Sequence, residues 1–415
     1  MSQREGKGAS RLFTRNFTLL LLGQLFSLIG NGALKFALSM YVLEDTGSAA
    51  VFGTLLAVSM VPTILLTPFG GVLADRANRR SIMVGLDLTS GAAVLAACAA
   101  FSAGRGLAVT AALLIVLSVL GAFESPTVQA CVPQMLSGDN VLRGNAAVNQ
   151  AAAVTGLAVP FLGSLLYVTF GIRPVLAGTA VCFLLTAALE CFIRLPAPPP
   201  APRQGVGAVL REDLLGSARF LVRERREVLD LLLYAALVSF FIAGVAVVGL
   251  PYLVRSELGL SAQVYGVVES AMGLAAILGG LSVGLLPNVI PMRRLNRLVT
   301  AVGACMVLAG CGLVLPLGAL GRCALLAAFF CAGQAGVSVF SIFAVSAIQQ
   351  RTPEQMTGKV MACVSTISLC AQPLGQLAYG LLFDAAAGSA WTVLLATGAA
   401  VCALGGGSGR VFEKF

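Results

Sequence analysis

Four ionisable side chains interrupt otherwise apolar stretches of the chain: Lys35, Asp87, Glu124 and Glu269. On insertion scales each costs roughly 2.5 to 3.5 kcal/mol at the centre of a bilayer, so each must face protein or water and find a partner. The chemistry open to such isolated groups is ion pairing and proton exchange. Glu124, near the middle of its stretch, reads either as a proton carrier or as the structural partner of Lys35. Asp87 lies nearer one end and reads as a second proton-coupling candidate or as the partner of Arg79 or Arg80. Glu269 is a third proton-coupling candidate, placed to pair with Lys35 or Arg255 or to meet a substrate. Helical spacing puts Gln24, Ser27, Asn31 and Lys35 on one face, and a later helix repeats the pattern with Gln334, Ser338, Ser341 and Gln349. A polar stripe is wasteful against lipid, which leaves two readings: the lining of a wet cavity, or hydrogen-bonding glue between helices. On the first, Lys35 favours an anionic or zwitterionic substrate unless a carboxylate neutralises it.

Other chemistries are excluded by composition. The chain has no His, and its eleven Cys are scattered through apolar segments without a CxxC pair, so neither a metal site nor a clustered nucleophile is expected. Free Cys here reads as a small apolar helix residue. With no His and only isolated acids an enzyme is not expected, and without a Gly-rich Walker loop neither is ATP hydrolysis; no cofactor is expected. The net charge of +9 is spread between apolar stretches and forms no aromatic-flanked patch, which argues against nucleic acid as a partner.

The elements that must position these residues are membrane helices. Only 11% of the 415 residues are charged and 58% are hydrophobic, where a soluble domain carries roughly 25% charged residues. Apolar stretches run over 17–41, 50–73, 82–103, 107–132, 146–170 and 174–195, then 229–254, 263–287, 298–318, 322–348, 359–383 and 391–409. The expected fold is therefore an all-α membrane protein of twelve transmembrane helices in two pseudo-symmetric six-helix bundles. The first bundle spans 1–195 and the second 229–415. Between them, 196–228 opens with Pro196, Pro198, Pro199, Pro200 and Pro202 and continues as a basic amphipathic helix, a cytoplasmic linker lying on an anionic leaflet. The stretch after residues 1–16 is too long for a signal-peptide core, so the first helix is expected to be retained. With both termini inside, 22 of the 27 Lys and Arg are cytoplasmic, and only Arg105, Arg173, Arg255 and Arg322 lie outside.

The halves also echo one another. Tyr41, Gly47, Ser48, Ala49 and Gly53 recur as Tyr252, Gly259, Ser261, Ala262 and Gly266, and a single shift lays Gly71 on Gly284, Asp75 on Asn288 and Arg80 on Arg293. Pro160 and Gly163 are matched by Pro373 and Gly375. Two copies of one unit suit a carrier in which one half rocks against the other around a site at mid-membrane depth.

Between the second and third helices the chain reads Gly70, Gly71, Val72, Leu73, Ala74, Asp75, Arg76, Ala77, Asn78, Arg79, Arg80. This resembles the signature loop of the major facilitator superfamily, with Asn78 where Gly is usual. Asn is among the few residues that visit left-handed backbone at modest cost, which keeps the tight turn available. Gly71 is expected to let the second helix approach a neighbour. The resemblance implies that Asp75, Arg76, Arg79 and Arg80 form a gate, latching the halves in the outward-open state against the start of helix eleven near Gly358. The other reading of these charges is topology alone. Asn16-Phe17, Gly23-Gln24, Gly30-Asn31-Gly32, Pro126, Pro133 and Gly144-Asn145-Ala146 resemble the enterobactin-exporter and macrolide-efflux branch. Relatives often carry an acid at Asn31, and the antiporter motif of helix five is partial, with Thr155, Pro160, Gly163 and Ser164 present and Val159 where Gly is usual. The resemblance implies a monomeric secondary transporter of the cell membrane, exporting small hydrophobic or amphipathic compounds against protons. Uptake of a nutrient or lipid, and a non-transporting sensor or scaffold, are the alternatives.

Overall fold

A computed structural model of the chain describes residues 12–101, 105–195, 226–285, 295–352 and 354–409. Among the described residues there are twelve long helices and no strand: α1 Arg15–Thr46, α2 Ala49–Arg76, α3 Arg79–Ala100, α4 Gly106–Met135, α5 Asp139–Phe170 and α6 Ile172–Cys191, then α7 Arg226–Glu257, α8 Ala262–Leu285, α9 Leu295–Val314, α10 Ala319–Gln350, α11 Glu354–Ala385 and α12 Trp391–Gly407. Ten of them are long and apolar enough to cross a membrane; the apolar α12, at 17 residues, is shorter. The amphipathic helix expected within the linker, the shifted positions Asn288 and Arg293, and the tail from Arg410 lie outside the described residues.

Local chemistry sets the ends. Thr14, Ser48 and Asn78 each accept a hydrogen bond from a backbone N–H three residues on, the N-cap pattern that satisfies an orphan donor. Gly47 closes α1 at φ 62°, a left-handed position that costs glycine nothing. Asn78 does not serve as expected. Its φ is −68°, and every positive-φ residue described is a glycine, so Asn78 stands in this loop as a helix cap and not as a left-handed turn residue. Helix α7 loosens into π-helical turns at Gly244–Gly249 and Leu253–Glu257, where α11 packs so closely that a Cβ on Gly244 would strike Tyr379 and one on Gly249 would strike Phe383.

Within the first half, α6 grips α1 through hydroxyl bonds to its backbone: Thr179 Oγ1 donates to the Gly30 carbonyl at 3.2 Å and Thr186 Oγ1 to that of Gly23 at 3.1 Å. A Cβ on Gly32 would meet Val159 of α5 at 2.6 Å. The halves meet along two helix pairs, α2 with α11 and α5 with α8. Here too backbone approaches backbone, since Gly53 lies on the Gln376 carbonyl and Gly380 on that of Ala49, while Gly266 abuts Ser164 and Pro160.

Candidate functional site

Between the halves lies a cavity of about 1370 Å³. It runs from a floor near Val42, Phe52 and Tyr265 to Val132 and Asn145, which flank the turn between α4 and α5. Its walls are mostly aliphatic, with Leu28, Leu55, Met60, Leu117 and Met272 among them, and a small number of polar groups project between these.

The floor end is closed by polar contacts across the halves. Arg255 of α7 forms an ion pair with Glu44 of α1, Tyr167 donates to the same carboxylate at 2.6 Å, and Arg255 also bonds the Leu260 carbonyl. Asp384, at the end of α11, accepts from Ala49 N–H at 2.6 Å and from Ser48 Oγ at 2.5 Å, so a carboxylate of one half caps the start of α2 in the other. That position is favourable for an anion, because the first N–H groups of a helix lack internal partners. Glu44 and Asp384 were not legible as site residues, since both sit at the edge of an apolar stretch, where a charge ordinarily meets water.

At the opposite end lies the signature loop. Arg79 spans two helices, donating to the Ala74 carbonyl at 2.7 Å and the Ala130 carbonyl at 2.8 Å, and Arg80 reaches the Cys191 carbonyl at the end of α6. Both bind carbonyls at or near helix ends, where cations are favoured. Arg76 is exposed. The Asp75 side chain, and the side chains around Gly358 in α11, lie outside the described residues. The expectation for Gly71 is corrected. A Cβ there would meet no described atom within 4 Å, whereas one on Gly70 would collide with the Ala122 carbonyl, so Gly70 is the glycine that admits α4.

Of the polar stripe on α1, Gln24, Ser27, Asn31 and Lys35 all line the cavity. On α10 only Gln334 does; Ser338 and Ser341 are not among the lining residues, and Ser341 is exposed. Lys35 is exposed, but its exposure is to the cavity. Glu124 and Glu269 line it as well. Ser27 Oγ donates to Glu124 Oε1 at 3.2 Å. Lys35 stands eight residues beyond Ser27, about 12 Å along the helix, and interacts with Glu124 through the field across the cavity. Glu269 is hydrogen-bonded to Tyr265 one turn earlier on α8, and Tyr265 stacks on Phe36 at 5.6 Å. The expected partnerships of Glu269 with Lys35 or Arg255 are therefore replaced, since Arg255 belongs to Glu44.

Asp87 is also corrected. It is 1% exposed and faces neither Arg79 nor Arg80 but Glu190 of α6, itself 1% exposed, to which it is hydrogen-bonded. Glu190 was missed in the sequence although it lies inside the sixth apolar stretch. Gln376 of α11, buried and lining the cavity, was missed although Ser365, Ser368, Gln372 and Gln376 repeat the spacing of the α1 stripe.

A family model described as the Major Facilitator Superfamily matches residues 20–376. Macrolide efflux protein A of Streptococcus pyogenes is 22% identical over 388 residues, covering 92% of this chain and 92% of that protein. Enterobactin exporter EntS of Citrobacter koseri is 26% identical over 361 residues, covering 83% and 79%. Among solved structures, the nucleoside transporter NupG aligns with a TM-score of 0.72 at 11% identity over 97% of this chain and 100% of that one. A bacterial homologue of the iron transporter ferroportin in an inward-facing state aligns at 0.70 and 18% identity over 96% and 98%. At such identities the solved structures establish the fold alone, and the two relatives bear out the branch that the loop and helix motifs resembled.

Proposed function

Because the chain belongs to the major facilitator superfamily and is thus a multi-pass membrane transporter of a small-molecule substrate and not an enzyme, we propose that it is a proton-coupled exporter of small hydrophobic or amphipathic compounds. It works by alternating access, as a monomer in the cell membrane with both termini cytoplasmic. The bundles 1–195 and 229–415 rock about the cavity, joined by the linker 196–228. The observation that carries this reading is the cavity itself: large enough for an amphipathic molecule, aliphatic in its walls, bounded by both halves, and supplied with Glu124, Glu269 and Lys35. Both named relatives are exporters, which favours the outward direction. The Glu44–Arg255 and Asp384 contacts close one end, and the signature loop with Asp75, Arg76, Arg79 and Arg80 supplies the counterpart gate at the other. One proton crossing 100 mV releases roughly 2.3 kcal/mol, enough to sustain about a fifty-fold gradient of a neutral compound.

The test is transport in proteoliposomes with an imposed pH gradient, using ethidium and a macrolide as probes. Wild-type protein is expected to move a probe against the proton gradient, and Glu124→Gln to lose that drive while inserting normally. Probe movement indifferent to the pH gradient in wild type sinks proton coupling. Undiminished drive in Glu124→Gln removes that carboxyl from the mechanism.

A further inference from the structure

We propose that the Asp87–Glu190 carboxyl pair, set in the α3/α6 interface behind the cavity wall, holds the exchangeable proton of the transport cycle and passes it through Glu124. This rests on the proton-coupled reading above and names its site. Both residues are 1% exposed, and their side chains are hydrogen-bonded to one another. An ionised carboxyl only accepts hydrogen bonds, so a bond between two carboxyls requires a proton on one of them. Asp87 Oδ1 and Glu190 Oε2 are each buried with no hydrogen-bond donor among the described residues.

Among the described residues, the charged and titratable groups found acting on the pair include no cation, which leaves a proton as the neutralising charge. From α4, Glu124 and Cys131 face the pair, and from α6 Cys191 does. From α1 the neighbour is Gly23, where a Cβ would stand 3.8 Å from Glu190 Cγ. Lys35, further along α1, acts on Glu124. The guanidinium groups of Arg79 and Arg80, at the start of α3, are directed to the carbonyls of Ala74, Ala130 and Cys191. Two buried like charges at hydrogen-bonding distance are prohibitively costly, and a shared proton removes that cost.

The pair has a short path to the cavity. Ser90, one turn after Asp87, lines it, as does Glu124, which is held by Ser27 Oγ at 3.2 Å. In the transfer, both carboxyls of the pair begin protonated; one O–H bond breaks as another forms on the Glu124 carboxylate, leaving the pair as a monoanion that shares its remaining proton. Glu124 then gives the proton to cavity water, and the pair is refilled from the opposite side after the halves have rocked.

The experiment is infrared difference spectroscopy of the full chain in lipid nanodiscs near neutral pH, in H2O and D2O, reading the C=O stretch of protonated carboxyl groups. Wild type is expected to show a deuterium-sensitive band that Asp87→Asn and Glu190→Gln each remove, because an amide donor lets the remaining carboxyl ionise, while Glu269→Gln retains it. Both variants preserve shape and hydrogen bonding, and a thermal melt checks that they are folded. A wild-type spectrum holding only ionised carboxylates, with or without sodium, overturns the proposal, as does a band left intact in both variants. Ethidium transport by the same samples separates the two readings. Glu190→Gln is expected to lose at least tenfold of the pH-driven rate while ethidium exchange without a gradient persists. Wild type that is pH-driven but lacks the pair's band defeats this proposal and leaves the exporter reading standing. Wild type that has the band but ignores the pH gradient defeats proton coupling and the pair's part in it.

Discussion

The α3/α6 interface of the first half and the α9/α12 interface of the second occupy corresponding places, and they are built from opposite materials. In α9/α12 the backbones nearly touch. A Cβ on Gly303 would meet the Cys402 N–H and the Gly398 carbonyl, one on Gly398 would meet the Gly303 carbonyl, and one on Gly310 would meet the Trp391 carbonyl at 3.1 Å. In lipid, where apolar burial gives little preference for helix over acyl chain, such close approach is what holds helices together. The shift that lays Gly71 on Gly284 also lays Asp87 on Thr300, and Thr300 abuts Gly405 of α12 where Asp87 meets Glu190 of α6. One half thus spends this interface on packing and the other on two carboxyls that cost stability. The polar stripes divide the same way, since all four members on α1 line the cavity and only Gln334 does so on α10. On the proposed mechanism the second half is the mechanical partner, and the first carries most of the charge chemistry.

The largest effect expected from this contrast is on stability. Gly303→Ala forces a methyl group into backbone atoms and is expected to cost about 3 kcal/mol. Gly91→Ala in α3, whose Cβ would meet the Leu184 side chain at 3.3 Å and Phe183 Cβ at an ordinary 3.5 Å, is expected to cost less than about 1 kcal/mol, because the Leu184 side chain can turn aside. Thermal melts in one detergent compare the two, and equal losses would dissolve the contrast. Next in size is the double substitution Asp87→Leu with Glu190→Leu. Replacing both members of a buried polar pair by apolar groups removes their desolvation cost, so stability is expected to hold or rise by about 1 kcal/mol. A loss of several kcal/mol would show that the pair serves the fold.

Much of this was legible in the sequence, because a bilayer imposes a strong rule: twelve apolar stretches give twelve helices, and the few charges within them must face inward. The signature loop was legible for the same reason, as a local pattern. What escaped reading was phase and partnership. Gly70 and Gly71 differ by about 100° around the helix, which decides that a Cβ on one meets Ala122 and a Cβ on the other meets no described atom within 4 Å. Ser338 and Ser341 share a face with Gln334 by spacing alone, yet the long α10 passes the cavity only near Gln334. Asp87 and Glu190 lie far apart in sequence on helices whose adjacency no local periodicity encodes. Asn78 failed differently, since left-handed turns and helix N-caps favour the same residue type, and only the backbone angle tells them apart.

The smallest expected effect is the sharpest control on the comparison. Thr300 occupies in the second half the place that Asp87 holds in the first, and its Oγ1 donates to the Asn296 carbonyl one turn back at 3.0 Å. That bond is local to α9 and touches no titratable group. Thr300→Val keeps the shape and removes the hydroxyl, leaving an acceptor that still bonds within the helix. It is expected to cost less than about 1 kcal/mol and to leave pH-driven ethidium transport within twofold of wild type, whereas Asp87→Asn, an equally small change of shape, is expected to lose the drive. If Thr300→Val impairs transport as Asp87→Asn does, the corresponding interfaces are doing the same mechanical work in both halves, and the carboxyls of α3 and α6 are not what distinguishes them.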